Sequence, residues 1–262
     1  MAAETVTASA LRMADVAVRF GRLQALASVS LDVPRGSITG LIGRNGAGKS
    51  TSIRMLAGLL LPDAGSVQVL GRGFAAQATE IRQRTGYLLA EPALFAYLTP
   101  RETLAFLAEA YGVERGEASG RVEALLSFFD LRDAADRLVD GFSTGMLKRL
   151  GLAAALVHGP ELLVLDEPFE TLDPLIVRKL KRLLVDYAAA GGSVLLSSHL
   201  IDAVDEICDR IAILEKGRVM VAGPTGQAKE GIAGKLGRGS LEELYASVVQ
   251  DAAAVDLPWL TR

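Results

Sequence analysis

Gly43, Arg44, Asn45, Gly46, Ala47, Gly48, Lys49, Ser50 and Thr51 satisfy the pattern G-x-x-x-x-G-K-[ST]. These residue types suit the grip of a polyphosphate. Glycines let the backbone turn tightly and point successive N–H groups inward. Lys49 adds a mobile positive charge for β- and γ-phosphates, and the Ser50 hydroxyl suits Mg²⁺. A second group with chemistry to offer, Asp166 and Glu167, follows the apolar run Leu162 to Leu165. A carboxylate there is placed to hold Mg²⁺ opposite Ser50, because ligands of open α/β sheets gather outside the carboxyl ends of strands. Glu167 suits accepting a proton from a water that attacks the γ-phosphate. His199, one of two histidines beside His158, also follows an apolar stretch and suits a hydrogen bond to that phosphate.

These residues need strands and helix starts to hold them. Ile38 to Ile42 reads as a buried strand, and Ser52 to Ala57 as a helix ending at Gly58, so the helix start faces the phosphates. Leu162–Leu165 and Ser193–Ser197 have the continuous apolar character of central parallel strands. Residues 11–20 and 28–33 alternate instead, which predicts an antiparallel β layer ahead of the P-loop strand. Phe20 ends its first strand. It either stacks on an adenine or is an ordinary strand-end residue, and spacing alone does not choose. Thr99, Pro100 and Glu102 form a helix start, and helical spacing recurs over 117–130 and 143–157. Helices are also expected over 75–84, 174–189 and about 200–208. A strand is expected at 86–89, and a hairpin turns around Lys216-Gly217. Beyond Gly223 the Ala- and Gly-rich sequence reads as looser, with an amphipathic helix at 240–250 and a tail containing Trp259.

The chain has 262 residues, a net charge of −3 and a single cysteine, Cys208. It can bury a sizeable core. It has no intrachain disulfide or cysteine metal cluster, and its charge gives no reason to expect nucleic acid as a partner. Met1 to Ala10 lacks the pattern of a signal peptide, and no apolar run reaches the roughly 18–20 residues of a membrane helix.

Taken in order, the motifs resemble the ATP-binding subunit of an ABC transporter over nearly the whole chain. The resemblance implies an α/β fold, a P-loop ATPase core with an N-terminal antiparallel β layer and an inserted α-helical subdomain. Residues 1–91 and 159–223 would form the core, 92–158 the helical signature subdomain and 224–262 a C-terminal extension. It makes Leu162–Asp166 the Walker B strand, Glu167 the catalytic base, Thr171-Leu172-Asp173 the D-loop and His199 the switch histidine. Phe20 falls where the family stacks adenine. Phe142-Ser143-Thr144-Gly145-Met146 takes the place of the signature, so Ser143, Thr144 and Gly145 would act on the ATP of an opposing subunit, with Ser143 capping a helix. ATP and Mg²⁺ are the implied cofactors. The implied partners are a second ATPase subunit, identical or different, and a separate transmembrane subunit, which would hold the chain peripherally on the cytoplasmic face.

Several positions depart from the family pattern. Thr144 replaces the first glycine of the signature and Met146 its glutamine, Glu170-Thr171 stand where small residues are usual, and Ala90 stands where the Q-loop carries glutamine. Glu91 is the adjacent candidate substitute. The signature, together with Lys148-Arg149-Leu150-Gly151, most resembles exporters with a separate membrane chain, for drugs, lipids or polysaccharides. The alternatives are an importer ATPase, a poorly hydrolysing regulatory subunit, or an ABC ATPase outside transport. Glu91 to Tyr97 marks the groove where a membrane partner would dock.

Overall fold

The computed structural model describes residues 9–236 and 240–249. The tail around Trp259 lies outside them, as does the Met1 segment apart from Ser9 and Ala10. The alternating N-terminal residues form β1 (Ser9–Phe20) and β2 (Leu23–Pro34), paired antiparallel. β3 (Ile38–Ile42) leads into α1 (Lys49–Leu56), followed by β4 (Ala64–Val69), α2 (Phe74–Arg84) and β5 (Thr85–Leu88). Then come α3 (Pro100–Ala110), α4 (Arg115–Phe128) and α5 (Thr144–Leu156). β6 (Leu162–Leu165), α6 (Pro174–Ala189), β7 (Ser193–Ser198) and α7 (Ile201–Ile207) return the chain to α/β order. The hairpin β8 (Arg210–Glu215) and β9 (Arg218–Pro224) precedes α8 (Thr225–Leu236) and α9 (Leu241–Val248).

Two sheets result. The smaller, ordered β2-β1-β4, is antiparallel throughout. The larger, ordered β5-β6-β7-β3-β8-β9, is parallel except for β9 at its edge. The larger sheet is covered on both faces. Leu162 and Val164 of β6 join a core shared with β1, β2 and α1, whereas Leu163 and Leu165 join a core shared with α5, α6 and α7. Leu195 likewise faces the first core, and Val194 and Leu196 the second. Burial on two faces is why these strands read as unbroken apolar runs, while one-sided β1 alternates. The order β6-β7-β3 sets the carboxyl ends of three strands side by side, and the residues that follow them meet there.

The expected helical block forms as α3, α4 and α5. Thr99 and Glu102 cap α3 reciprocally, with Pro100 at its first turn. Among the described residues after Gly223, α9 falls where an amphipathic helix was expected, whereas α8 is a helix where the sequence read as looser. α8 starts where the Thr225 hydroxyl donates to the Cys208 carbonyl at 2.7 Å, and Lys229 pairs with Asp205 of α7. Leu241 and Leu244 of α9 are buried in the second core. The small residues of α8 give no apolar stripe at helical spacing, so the helix left no signal in the sequence.

Candidate nucleotide site

The phosphate-binding motif bridges β3 and α1. Gly48 precedes the helix with φ 113°, and a Cβ there would stand 2.7 Å from Leu26 Cδ2 and 2.8 Å from the Ala25 carbonyl oxygen, so no larger residue fits. The helix starts at Lys49, earlier than the expected Ser52, because the glycine ends the loop inside the motif. Lys49, Ser50 and Thr51 therefore lie in the first turn, whose N–H groups have no carbonyl partner within the helix. The buried Lys49 Nζ donates to the Gly43 carbonyl at 2.6 Å and lies 3.2 Å from Glu167 Oε1.

Asp166 and Glu167 continue from β6, and both are buried. One serine supports the two. The Ser197 hydroxyl in β7 donates to Asp166 Oδ1 at 2.5 Å and accepts from the Glu167 N–H at 2.9 Å. Glu167 Oε2 accepts from the His199 N–H at 3.2 Å and lies 3.0 Å from His199 Nδ1. His199 Nδ1 is also 3.3 Å from Glu170 Oε1. The backbone is strained here, with φ 46° at Glu167 and φ 62° at the β-branched Thr171. Lys148 of α5, only 4% exposed, donates to the Asp166 carbonyl at 3.2 Å. Burial pulls its pKa down from the ordinary value, opposed most by Glu170 and then by Asp166 and Glu167.

Of these groups Lys49, Glu167 and Glu170 line a cavity of about 660 Å³, while Asp166 and His199 stand behind its wall, in contact with Ser197 and Glu167. Among the expected residues, Phe20, Arg44, Asn45, Gly46, Gly48, Lys49, Ser50, Thr51, Ala90 and Glu167 line it. Gly43 lies against the Leu214 carbonyl, while the Ala47 carbonyl accepts from the Gly217 N–H and ties the loop to the β8–β9 hairpin. Phe20 is half exposed at the cavity mouth. Ala90 brings no polar group, and exposed Glu91 is not among the lining residues. Ser143, Thr144 and Gly145 are not among them either. Ser143 caps α5, accepting from the Met146 N–H at 3.4 Å, and Asp173 caps α6, accepting from the N–H groups of Leu175 and Ile176.

The family pattern of the ABC transporter matches residues 26–170. The chain belongs to this family. This ABC ATP-binding subunit is 32% identical over 245 residues to the linearmycin resistance ATP-binding protein LnrL of Bacillus subtilis, a match spanning 94% of this chain and 78% of LnrL. It is 34% identical over 211 residues to the bacitracin transport ATP-binding protein BcrA of Bacillus licheniformis, covering 80% and 68% of the two chains. A solved ATP-binding subunit of an ABC transporter superposes with a TM-score of 0.85 at 32% identity, over 92% of this chain and 99% of that one. Among the described residues of this ABC subunit, no helix is long and apolar enough to cross a membrane.

Sequence reasoning missed Gln24, Glu170, Ser197 and Lys216 at this site, and assigned Lys148 no role in it. Ser197 carried a signal, as a hydroxyl within an apolar strand. Lys148, beside Arg149 on α5, carried none. Gln24 and Lys216 reach the cavity only through sheet pairing and a hairpin, which spacing does not reveal.

Proposed function

We propose that this chain is the ATP-hydrolysing subunit of an ABC exporter, working as a dimer that closes around ATP and drives a separate transmembrane subunit. Lys49 and Glu167 meeting on one cavity wall, with His199 held against Glu167 from the end of β7, carries this reading. Volume and composition suit a nucleoside triphosphate, with Phe20 for the base and the motif N–H groups for the phosphates. Ser50 on the cavity wall and buried Asp166 are hard oxygen donors of the kind Mg²⁺ takes, and the ion would neutralise phosphate charge there. Glu167 takes a proton from water as its oxygen bonds to the γ-phosphorus. The bond from that phosphorus to the bridging oxygen then breaks, releasing ADP and phosphate. Lys49 meets the β- and γ-phosphates, and His199, held by Glu167, contacts the γ-phosphate.

Ser143, Thr144 and Gly145, with Asp173, serve the ATP of the opposing subunit, which explains why the first three stand outside the chain's own cavity. Residues 1–91 and 159–223 act as the core and 92–158 as the helical subdomain, with 224–262 as an extension. The membrane subunit docks in the groove beside Glu91 to Tyr97, at the cytoplasmic face. Tyr97 is 87% exposed there, and exposed Phe95 packs edge-on against exposed Phe106 at 5.3 Å. The names of LnrL and BcrA support export of a drug-like compound.

Mg²⁺-dependent ATP hydrolysis by the purified chain beside Glu167→Gln tests the proposal. Wild type should turn over, and the variant should lose at least about a hundredfold in kcat while accumulating an ATP-dependent dimer. A monomer at every ATP concentration for Glu167→Gln would count against the closed dimer. Ala90 on the cavity wall favours a second reading, a subunit that turns over slowly and depends on a different partner.

A further inference from the structure

Away from the nucleotide cavity, α6 and the ends of α4 and α5 border a cleft of about 600 Å³. Leu175, Arg178, Lys179, Arg182, Leu183 and Asp186 line it from α6. They are spaced three and four apart, so they share one face of that helix. Phe128, the last residue of α4, and Leu156, the last of α5, line it from the helical block. Its apolar parts are held by packing and hydrogen bonding. Phe128 meets the fully buried Phe129 edge-on, with ring centroids 4.9 Å apart. Tyr187, also lining the cleft, donates its hydroxyl to the Pro160 carbonyl at 2.7 Å. A Cβ on Gly192 would collide with that ring, so the ring is seated on the glycine backbone. The charges are one-sided. Three cations and one acid stand on the α6 face, and the acid is already engaged, because Arg182 Nε lies 3.1 Å from both Asp186 oxygens. Arg178 and Lys179 have no hydrogen bond or ion pair among the described residues. Asp130 and Glu161, the acids that follow Phe128 and Pro160, are paired with Arg149 and with Arg35 and Arg84. Like charges four apart on a helix repel, so Arg178 beside Arg182 carries a cost that a bound anion would remove.

We infer that this cleft is a binding site for a single-chain anionic amphiphile. The hydrocarbon chain lies against Phe128, Leu156, Leu175 and Leu183, and the carboxylate or phosphate head meets Arg178 and Lys179. The volume is within the range of small-ligand sites. Burial of the chain supplies affinity without regard to the head, and the guanidinium and ammonium select its sign. A bare anion lacks the chain, and a cationic amphiphile brings the wrong head. The occupant ties the ends of α4 and α5 to α6, the helix that begins at Asp173.

Binding at this cleft needs no ATP hydrolysis, so the test reads binding. Isothermal titration of the full chain, with ADP saturating the nucleotide cavity, would use dodecanoate, dodecyl phosphate and dodecyltrimethylammonium below their micelle concentrations, and acetate as the head alone. One dodecanoate or dodecyl phosphate per chain is expected, with the cationic amphiphile at least about tenfold weaker and no saturable acetate binding. Arg178→Gln/Lys179→Gln should weaken dodecanoate at least about tenfold, and Arg178→Glu/Lys179→Glu should turn the preference toward the cationic chain. Leu175→Gln should weaken both anionic chains about threefold. Residues 175, 178 and 179 are exposed, so melting should stay within about 2 °C of wild type. If a double variant nonetheless melts below the assay temperature, Lys179→Gln decides: an affinity loss of about threefold supports the inference, and no loss overturns it. Equal affinity for anionic and cationic chains in wild type overturns it, as does dodecanoate affinity unchanged in both charge variants, since the chains are then adsorbed elsewhere. Absence of dodecanoate binding by wild type overturns it too. If that absence comes with a self-association abolished by Arg178→Glu/Lys179→Glu, the cleft instead seats a second copy of the chain. A chain that binds dodecanoate as expected and never hydrolyses ATP overturns only the functional reading.

Discussion

The strand ends and the crossing loops reach the same cavity under different constraints. Asp166 leaves β6 with its N–H donating to the Leu88 carbonyl of β5 at 2.8 Å, and its side chain is fixed by Ser197 of β7. Parallel strands on both sides of β7 set the register, so the carboxylates, the histidine and the P-loop have little freedom. The loops are held differently. Ala90 leaves the sheet after β5 with an apolar stub toward the cavity, and the segment from Glu170 to Asp173 takes a strained turn at Thr171 before α6 begins. Residues at the strand ends keep the types that the proposed phosphate chemistry calls for, and of the departures Ala90, Glu170 and Thr171 lie in loops and Thr144 in the first turn of α5. A sheet tolerates few substitutions at its ends, because each changes a buried hydrogen bond. A loop can exchange one polar contact for another supplied from elsewhere in the fold.

The sharpest way to break this contrast is to weaken a strand-end support without touching a reacting group. Ser197→Ala leaves the Glu167 N–H and the Asp166 carboxylate each short of one buried partner. The expected loss is about tenfold in kcat, equivalent to about 1.4 kcal/mol, with a lowered melting temperature. Unchanged kcat would mean that the strands alone position the carboxylates and that the serine is incidental.

Phe20 tests the cavity mouth. It is half exposed, so its removal costs little folding energy, whereas loss of a stacking surface weakens nucleotide binding by about 1 kcal/mol. Phe20→Ala should raise KM for ATP about fivefold with kcat nearly unchanged. A fall in kcat at constant KM would place the ring outside base recognition. Ala90→Gln tests the loop side directly, because it adds a polar group to a cavity wall that offers none at that position. An increase of about threefold in kcat is expected from one added hydrogen bond to the attacking water. No change would show that Glu167 and Glu170, which line the same cavity, already meet the need.

The same contrast explains what could be read from the chain without its structure. The P-loop, Asp166, Glu167 and His199 were legible because each follows an apolar run whose length marks a buried strand, and sheet geometry does the rest. The capping box at Thr99 was legible because its chemistry is local. Lys148 was not legible beside the strand end. It stands on α5, and only the packing of that helix against the end of β6 sets its Nζ on the Asp166 carbonyl. α8 escaped for a related reason, since its sequence has no periodic apolar stripe and its described anchors, Thr225 and Lys229, are polar.

His158 supplies the smallest effect and locates it in the helical block rather than the cavity. It follows α5, stacks on Tyr111 with ring centroids 4.0 Å apart and 13° between planes, and lies in a cavity wall with Tyr87 of β5. Burial disfavours the imidazolium and lowers its pKa from the ordinary 6.5 to about 4, outweighing the contact with the Thr85 backbone that pulls the other way. The unfolded chain therefore takes up a proton below about pH 6.5, while the folded chain resists until about pH 4. Folding stability falls as pH drops through that window and stops falling below it. Allowing for the part of the ring that remains exposed, the loss from this group is on the order of 1 kcal/mol at pH 5. His158→Phe keeps the stack and removes the titration. ATP turnover at pH 7.5 should be unchanged, and the fall in melting temperature between pH 7 and pH 5 should be shallower than in wild type. An equal slope in the two proteins would assign the acid sensitivity to other groups. A changed rate at pH 7.5 would show that the packing just beyond α5, where His158 meets Tyr111 and Tyr87, reaches the cavity through β5.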